Sequence, residues 1–465
     1  MGNEADNVNQ AITEKATYDK TVSNMKIGVC EMQGWRKTME DAAIVLPNFD
    51  KNSSLFGVLD GHGGSIISEF VSVNFKNILI RLDSYKNGNY EKALTETFLI
   101  MDELLKNKKV NNFIYTTHNS KEKPKESPRK QNSQNNKENI VKLRFETGVY
   151  EFDLNQIDLS LGGEDTSTTL YEYKRRNSFR PLYDDEHNNT KIEDIFFEKG
   201  GKQNATLNTL PSFEDTFNIT KYDLNFNEKI ISESLELTKN HSSPFPLNKS
   251  LDNFVANEMG TTANIMLIKN GIIYIANVGD SLSVMYKNKK AYNLNKEHQT
   301  IIESEKERVL KSGANIVGYR INGMLNLTRA IGDLKFKSNK NLKRHEQSVI
   351  ALPEITKIED TDGIDFIIMG CDGVWDCVKR QLVCDFVDKQ IKENPDKNLS
   401  DILKIIFDRC VSSVCGVILG TDNMSCIIVQ FLHNGQNNGD DIIVKKVNIN
   451  EEIIENIDKE NIMKN

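Results

Sequence analysis

Five aspartates stand where apolar runs begin or stop. LFGVLDGHGG (55–64) runs apolar up to Asp60, then turns through Gly61, His62 and two further glycines. IIYIANVGD (272–280) ends in the same way on Asp280, and DFIIMGCDG (365–373) on Asp372. Two more acids precede their runs: Asp41, after Glu40 in WRKTMEDAAIVL (35–46), and Asp422 in GTDNMSCIIV (420–429). In an antiparallel sheet, strands running up end at the edge where strands running down begin. All five can therefore gather at one rim. Bare carboxylates so close would repel and raise one another's pKa values. A divalent cation removes that conflict, and an all-oxygen donor set favours Mg²⁺ or Mn²⁺ over zinc. Gly61 and Gly373 suit places where backbone turns tightly near an ion. A two-metal site acidifies water and clamps both oxygens of an in-line displacement, chemistry suited to phosphate esters. His62 is close enough to Asp60 to protonate a leaving alkoxide. Arg36 offers a planar fork for a phosphoryl group.

The elements that must hold these residues fall into two regions. Over 20–105, short apolar runs lead to a helix at 66–82, with Ile67, Phe70, Val71, Phe75, Ile78, Leu79 and Leu82 on one face, and then to a second at 90–105. Strand-like runs such as NIMLIK, FIIMG and SCIIVQF fill 255–432, with helices predicted at 303–313, 380–393 and 399–413. The intervening 106–254 is dominated by Asn, Lys, Glu, Ser and Thr. Its KEKPKESPRKQNSQNNKEN (121–139) has too little to bury to repay ordering, so the tract reads as a long disordered insertion. One island, 141–152, alternates like a strand, and its Lys142–Phe145 tetrapeptide resembles a docking motif for protein phosphatase 1. Residues 1–19 read as a tail, and 433–465 as a charged tail with one short terminal helix. Many strands with clustered helices, and no internal repeat, point to one α+β domain over 20–432.

With 465 residues, 38% hydrophobic and 27% charged, and a formal net charge of −8, the chain suits an acidic soluble protein. That balance argues against nucleic acid as a partner. No run reaches 18 uninterrupted apolar residues, and the polar start lacks the apolar core of a signal peptide. Seven cysteines, none in a C-x-x-C pair, favour a reduced, cytoplasmic setting. Gly2 permits N-myristoylation, although Asp6 stands where the pattern prefers Ser or Thr. Membrane contact is expected only through that route, and reversibly. The nucleus is a further location the sequence leaves open.

The segments GWRKTMED, VLDGHGG, EMGTTANIMLI, IANVGDS, NLTRAIGD, GCDGVWD and GTDNMS occur in this order. Together they resemble the signatures of the metal-dependent Ser/Thr protein phosphatases of type 2C, over about 24–105 and 255–432. The resemblance implies two antiparallel sheets in a central sandwich flanked by pairs of helices, with a dinuclear Mg²⁺/Mn²⁺ centre at one end. It also implies a monomer that hydrolyses phosphoserine and phosphothreonine esters of proteins by direct attack of a metal-bridging hydroxide. Carried over by motif, Asp60 bridges the metals, the Gly61 carbonyl binds one, and Asp372 and Asp422 hold the other. Asp41 and Glu40 act largely through metal-bound water, Arg36 binds phosphate and His62 is the general acid. Asp280 resembles the ligand of a weaker third metal. Two departures fall near that third position: Leu282 where the family commonly has Arg, and Glu297-His298-Gln299-Thr300 where it often has Asp-His-Lys-Pro. A partner-binding pseudophosphatase and a metal-dependent nuclease are the competing readings. Retention of Asp60, Asp372 and Asp422 disfavours the first, and the missing basic and aromatic patches the second.

Overall fold

A computed structural model of the protein describes residues 7–22, 24–107, 110, 140–145, 148–153, 255–415, 419–432 and 444–447. The chain opens with β1 (Asn7–Val22), β2 (Met25–Arg36), β3 (Ala42–Asp50), β4 (Ser53–Leu59) and the two-residue β5 (Gly61–His62). Helices α1 (Ile66–Leu79), α2 (Asp83–Lys86) and α3 (Tyr90–Lys106) follow. A hairpin of β6 (Ile140–Phe145) and β7 (Gly148–Asp153) stands apart. The second region begins with α4 (Val255–Glu258), β8 (Gly260–Thr261), β9 (Ala263–Lys269) and β10 (Ile272–Val278). It continues through β11 (Leu282–Lys287), β12 (Lys290–Asn293), α5 (Glu303–Lys311), β13 (Ile316–Val317) and β14 (Arg320–Ile321). Next come β15 (Ile331–Gly332), a 3₁₀ turn (Leu334–Lys337), β16 (Glu354–Ile358) and β17 (Ile364–Gly370). The last elements are α6 (Asp372–Trp375), α7 (Arg380–Glu393), α8 (Leu399–Cys410), β18 (Met424–Phe431) and β19 (Val444–Val447).

The strands form two six-stranded antiparallel sheets, ordered β1-β2-β18-β17-β11-β12 and β19-β16-β10-β9-β4-β3. Strand alternation divides the second sheet between two cores. Leu55, Leu59, Ile265, Leu267, Tyr274 and Ala276 pack with α1 and α3. Phe56, Val58, Met266, Ile273 and Ile275 pack with the first sheet, whose other face carries α7 and α8. Strands buried on both faces read as continuous apolar runs rather than alternating ones, as these do. The predicted face of α1 is buried, and Phe75 meets Phe98 of α3 edge-on at 5.3 Å. A sandwich of two sheets with helices outside is thus present as expected.

Both tails differ from expectation. Asn7–Val22, most of which reads as a tail, is an edge strand paired to β2, with Tyr18 opposite Val29 and Val22 opposite Met25. It is fastened to α8 by polar groups: the Ser400 N–H donates to Asp19 Oδ1 at 3.0 Å, and Lys15 Nζ lies 2.5 Å from Asp408. An edge strand needs only backbone pairing and one partly covered face, so a polar stretch can supply it and hydrophobic patterning misses it. Val444–Val447 likewise adds to the free edge of β16. The expected terminal helix lies outside the described residues, as does most of 106–254. The strand-like island is the β6–β7 hairpin, and Lys142–Phe145 falls on β6.

Candidate metal centre and active site

Each strand-end acid arrives at the same rim. Asp60 follows β4, Asp280 follows β10, and Asp372 opens α6 just after β17. Asp41 precedes β3, Asp422 precedes β18, and Arg36 ends β2. Carboxylate oxygens of Asp60, Asp280 and Asp372 lie within 4.8 Å of one another; a second group with that spacing is Asp41, Asp60 and Cys371. Asp422 sits beside these groups and accepts from Arg36 Nη2 at 2.6 Å. The sequence reading gives Asp280 to a weaker third metal, and the geometry places its carboxylate within 4.8 Å of those of Asp60 and Asp372.

Asp41 and Asp280 are buried, while Asp60, Asp372 and Asp422 keep partial exposure. Crowding has the expected electrostatic result. Burial, reinforced by the charges of Asp422 and Asp372, pushes Asp41 up to about 7. Burial and then Asp422 push Asp372 up to about 6. Asp60 and Asp280 are driven well above the usual carboxylate range, first by burial and next by Asp372. Asp376, one turn on from Asp372, rises to about 7 through burial and then Asp372. Among the described residues, no donor meets the buried Asp41 Oδ2 at hydrogen-bonding geometry. The all-oxygen group of Asp60, Asp280 and Asp372, which cannot ionise together, and the orphaned buried carboxylate oxygen of Asp41 beside it fit hard divalent cations.

Glycine is required at two of these turns. A Cβ on Gly61 would lie 2.2 Å from the Glu40 carbonyl oxygen, and one on Gly373 only 2.0 Å from the Asn423 carbonyl oxygen. The backbone approach these glycines allow is what brings Asp60 to Asp41 and Asp372 to Asp422.

His62 and several residues without an assigned role complete the site. His62 Nε2 lies 2.7 Å from Asp333 Oδ2. Burial opposes a charge on His62, but Asp333, helped by Asp280 and Glu40, outweighs it and raises the imidazole's pKa. Asp333 itself has a left-handed backbone (φ 50°) and donates its N–H to the Met259 carbonyl at 3.0 Å. Thr261 and Thr262 grip the Asp60 backbone: the Thr262 N–H donates to its carbonyl at 2.8 Å, and Thr262 Oγ1 accepts from its N–H at 3.1 Å. Asn423 ties the 36–41 loop to β18, accepting from the Glu40 N–H at 2.9 Å and donating to the Gln33 and Thr38 carbonyls at 2.7 and 3.0 Å. Glu40 also accepts from Thr38 Oγ1 at 2.9 Å. Asp333, Thr261, Thr262 and Asn423 all lie inside the quoted motifs, so the signal was present without a chemical assignment. Of the two departures, Gln299 does reach the site, donating to Asp280 Oδ2 at 3.1 Å. Leu282 does not: it is a buried core residue of β11 whose carbonyl accepts from Trp375 Nε1 at 3.1 Å.

A family model described as protein phosphatase 2C matches residues 25–122 and 173–415, well over half of the chain. The chain belongs to the protein phosphatase 2C family. It is 30% identical to "Probable protein phosphatase 2C 21" of Arabidopsis thaliana over 420 residues, covering 90% of each chain. Against "Probable protein phosphatase 2C 6" of Paramecium tetraurelia the identity is 26% over 424 residues, covering 91% of this chain and 98% of that one. A solved phosphatase from Toxoplasma gondii aligns with 93% of this chain and all of its own length, at 16% identity and a TM-score of 0.47. As a 2C member the protein is a phosphoprotein phosphatase, a hydrolase of a metal-dependent family. The 2C match breaks only over 123–172, a narrower stretch than the low-hydrophobicity tract, and it ends at 415, before Asp422. Asp422 therefore rests on its motif and its contact with Arg36.

Proposed function

We propose that the protein hydrolyses phosphoserine and phosphothreonine esters at a dinuclear centre on this rim. The observation that carries the reading is the convergence of five aspartates from separate strands, too crowded to ionise alone, between Arg36 and His62. Asp60 and the Gly61 carbonyl would hold one cation, and Asp60, Asp372 and Asp422 the other. Asp41 and Glu40 would act through intervening water, and Asp280 would serve a weaker third ion. When bound, the Mg²⁺ or Mn²⁺ ions let these carboxylates stay charged together, acidify a water and offset the charge of the phosphoryl group.

The chain's own residues supply the remainder. Arg36 is oriented through one nitrogen by Asp422, leaving other donors of its fork for phosphoryl oxygens. His62 keeps its proton nearer to neutral pH because Asp333 favours the imidazolium, so it can donate to the leaving serine or threonine oxygen. Asp333 fixes which way the ring points. The same reading carries a monomeric, cytoplasmic enzyme acting on phosphoproteins, with membrane contact only if Gly2 is acylated.

Phosphate release from a phosphothreonine peptide in Mn²⁺, with and without chelator, tests the centre. Chelation, or Asp60→Asn, should lower the rate about a hundredfold or more. Equal rates for parent and variant would refute the metal assignment, and a pseudophosphatase would release nothing under any condition.

A further inference from the structure

One sulfur stands among the oxygens of the rim. Cys371, the residue before Asp372, is fully buried, and its Sγ and one carboxylate oxygen each of Asp41 and Asp60 all lie within 4.8 Å of one another. The strand beside it pins this sulfur. The Ser425 N–H of β18 donates to Sγ at 3.2 Å, the Cys371 N–H donates to the Ser425 carbonyl at 3.1 Å, and the thiol donates to the Asn423 carbonyl at 3.5 Å. Two buried polar atoms nearby go unsatisfied. Asp41 is only 5% exposed, yet its Oδ2 meets no hydrogen-bond partner among the described residues. Nor does Oγ of the fully buried Ser425, whose side chain faces Asp41. A buried carboxylate oxygen without a partner is costly, and a cation beside it removes that cost.

We propose that Asp41, Asp60 and Cys371 form a site for a thiophilic divalent cation, of the Zn²⁺ or Cd²⁺ kind, with a donor set unlike the oxygen-only group of Asp60, Asp280 and Asp372. Thiolate sulfur selects such ions, whereas Mg²⁺ and Mn²⁺ favour oxygen. Zinc holds sulfur at about 2.3 Å and carboxylate oxygen at about 2.0–2.2 Å, which sets neighbouring donors roughly 3.5 Å apart. Donors already within 4.8 Å need only small side-chain shifts to reach that spacing. Asp60 keeps partial exposure and gives an ion its way in. On binding, the S–H bond breaks, its electron pair goes to the metal and its proton leaves to solvent. Asp60 belongs to both groups, so a thiophilic ion competes with hard cations for it. The site itself stands on geometry alone. Its consequence, an enzyme slowed until that ion is removed, rests on the phosphatase reading.

X-ray absorption of the full chain carrying one equivalent of Zn²⁺ tests the donor set without any variant. A Zn–S path at about 2.3 Å beside oxygen scatterers is expected. A shell of oxygen and nitrogen alone overturns the site. Cys371→Ser should abolish the sulfur path, and Cd²⁺ titration should give a thiolate-to-metal absorption band in the parent that the variant loses. By calorimetry the variant should bind Zn²⁺ about tenfold or more weakly and hold its Mn²⁺ affinity within about twofold. A sulfur path that survives in Cys371→Ser comes from another cysteine and overturns the assignment, as does an equal loss for both ions. Asp41→Asn keeps the sulfur and should also weaken Zn²⁺ binding; an unchanged affinity would overturn the three-residue site. A parent that binds no Mn²⁺ would defeat the metal centre of the phosphatase reading, and the zinc spectrum would still decide the sulfur site.

Discussion

Chelating divalent cations should leave the rim as a set of carboxylates whose cost grows with pH. Asp41 shows the magnitude, rising from an ordinary 3.8 to about 7 in the fold. A shift of about three units corresponds to roughly 4 kcal/mol of linkage between folding and protonation. The folded state binds the proton more tightly than the unfolded one. Its stabilising share is therefore complete below the ordinary carboxylate pKa and is lost as pH rises through about 7. About half of that loss, roughly 2 kcal/mol, falls between pH 5.5 and 7.5, equivalent to about 4–8 °C in Tm. Neighbouring acids titrate jointly with Asp41, so the measured curve belongs to the cluster. Calorimetric melts in EDTA at those two pH values should give the lower Tm at the higher pH. Added Mn²⁺ should reverse the order, because cations compete with protons for the same oxygens. Asp60→Asn, one charge fewer, should flatten the EDTA profile and raise Tm at pH 7.5. A cation-free protein that gains stability across this interval, or a variant less stable than its parent there, would refute the electrostatic reasoning.

Two further outcomes follow from the geometry. Asp333→Asn removes the main charge favouring protonated His62, so the alkaline limb of the kcat profile should move to lower pH. Mn²⁺ affinity by titration calorimetry should stay put, and an unmoved limb would remove Asp333 from the acid's control. Gly373→Ala places a Cβ 2.0 Å from the Asn423 carbonyl oxygen, which must separate Asp372 from Asp422. We expect a loss of about 1–3 kcal/mol in stability and about tenfold in Mn²⁺ affinity, read by melting and calorimetry; wild-type affinity would show that the contact is not needed.

Much of this was legible in the chain itself. Apolar runs that stop or start on Asp60, Asp280, Asp372, Asp41 and Asp422 mark strand ends, because a carboxylate without a partner is costly inside a strand buried on both faces. Helical spacing in α1 likewise announced its buried face. Three things waited for the tertiary structure. Polar edge strands such as Asn7–Val22 bury too little to leave a hydrophobic pattern, so only their backbone partners reveal them. Distances among acids 300 residues or more apart, as between Asp60 and Asp372, depend on sheet order, which decides that Asp280 joins Asp60 and Asp372. The pairing of His62 with Asp333 joins β5 to the residue that follows β15, brought together by the three short strands β15-β8-β5. Sequence determines where a carboxylate can stand, since burial along one strand is a local property. Which carboxylates share an ion is decided by the packing of strands far apart in the chain.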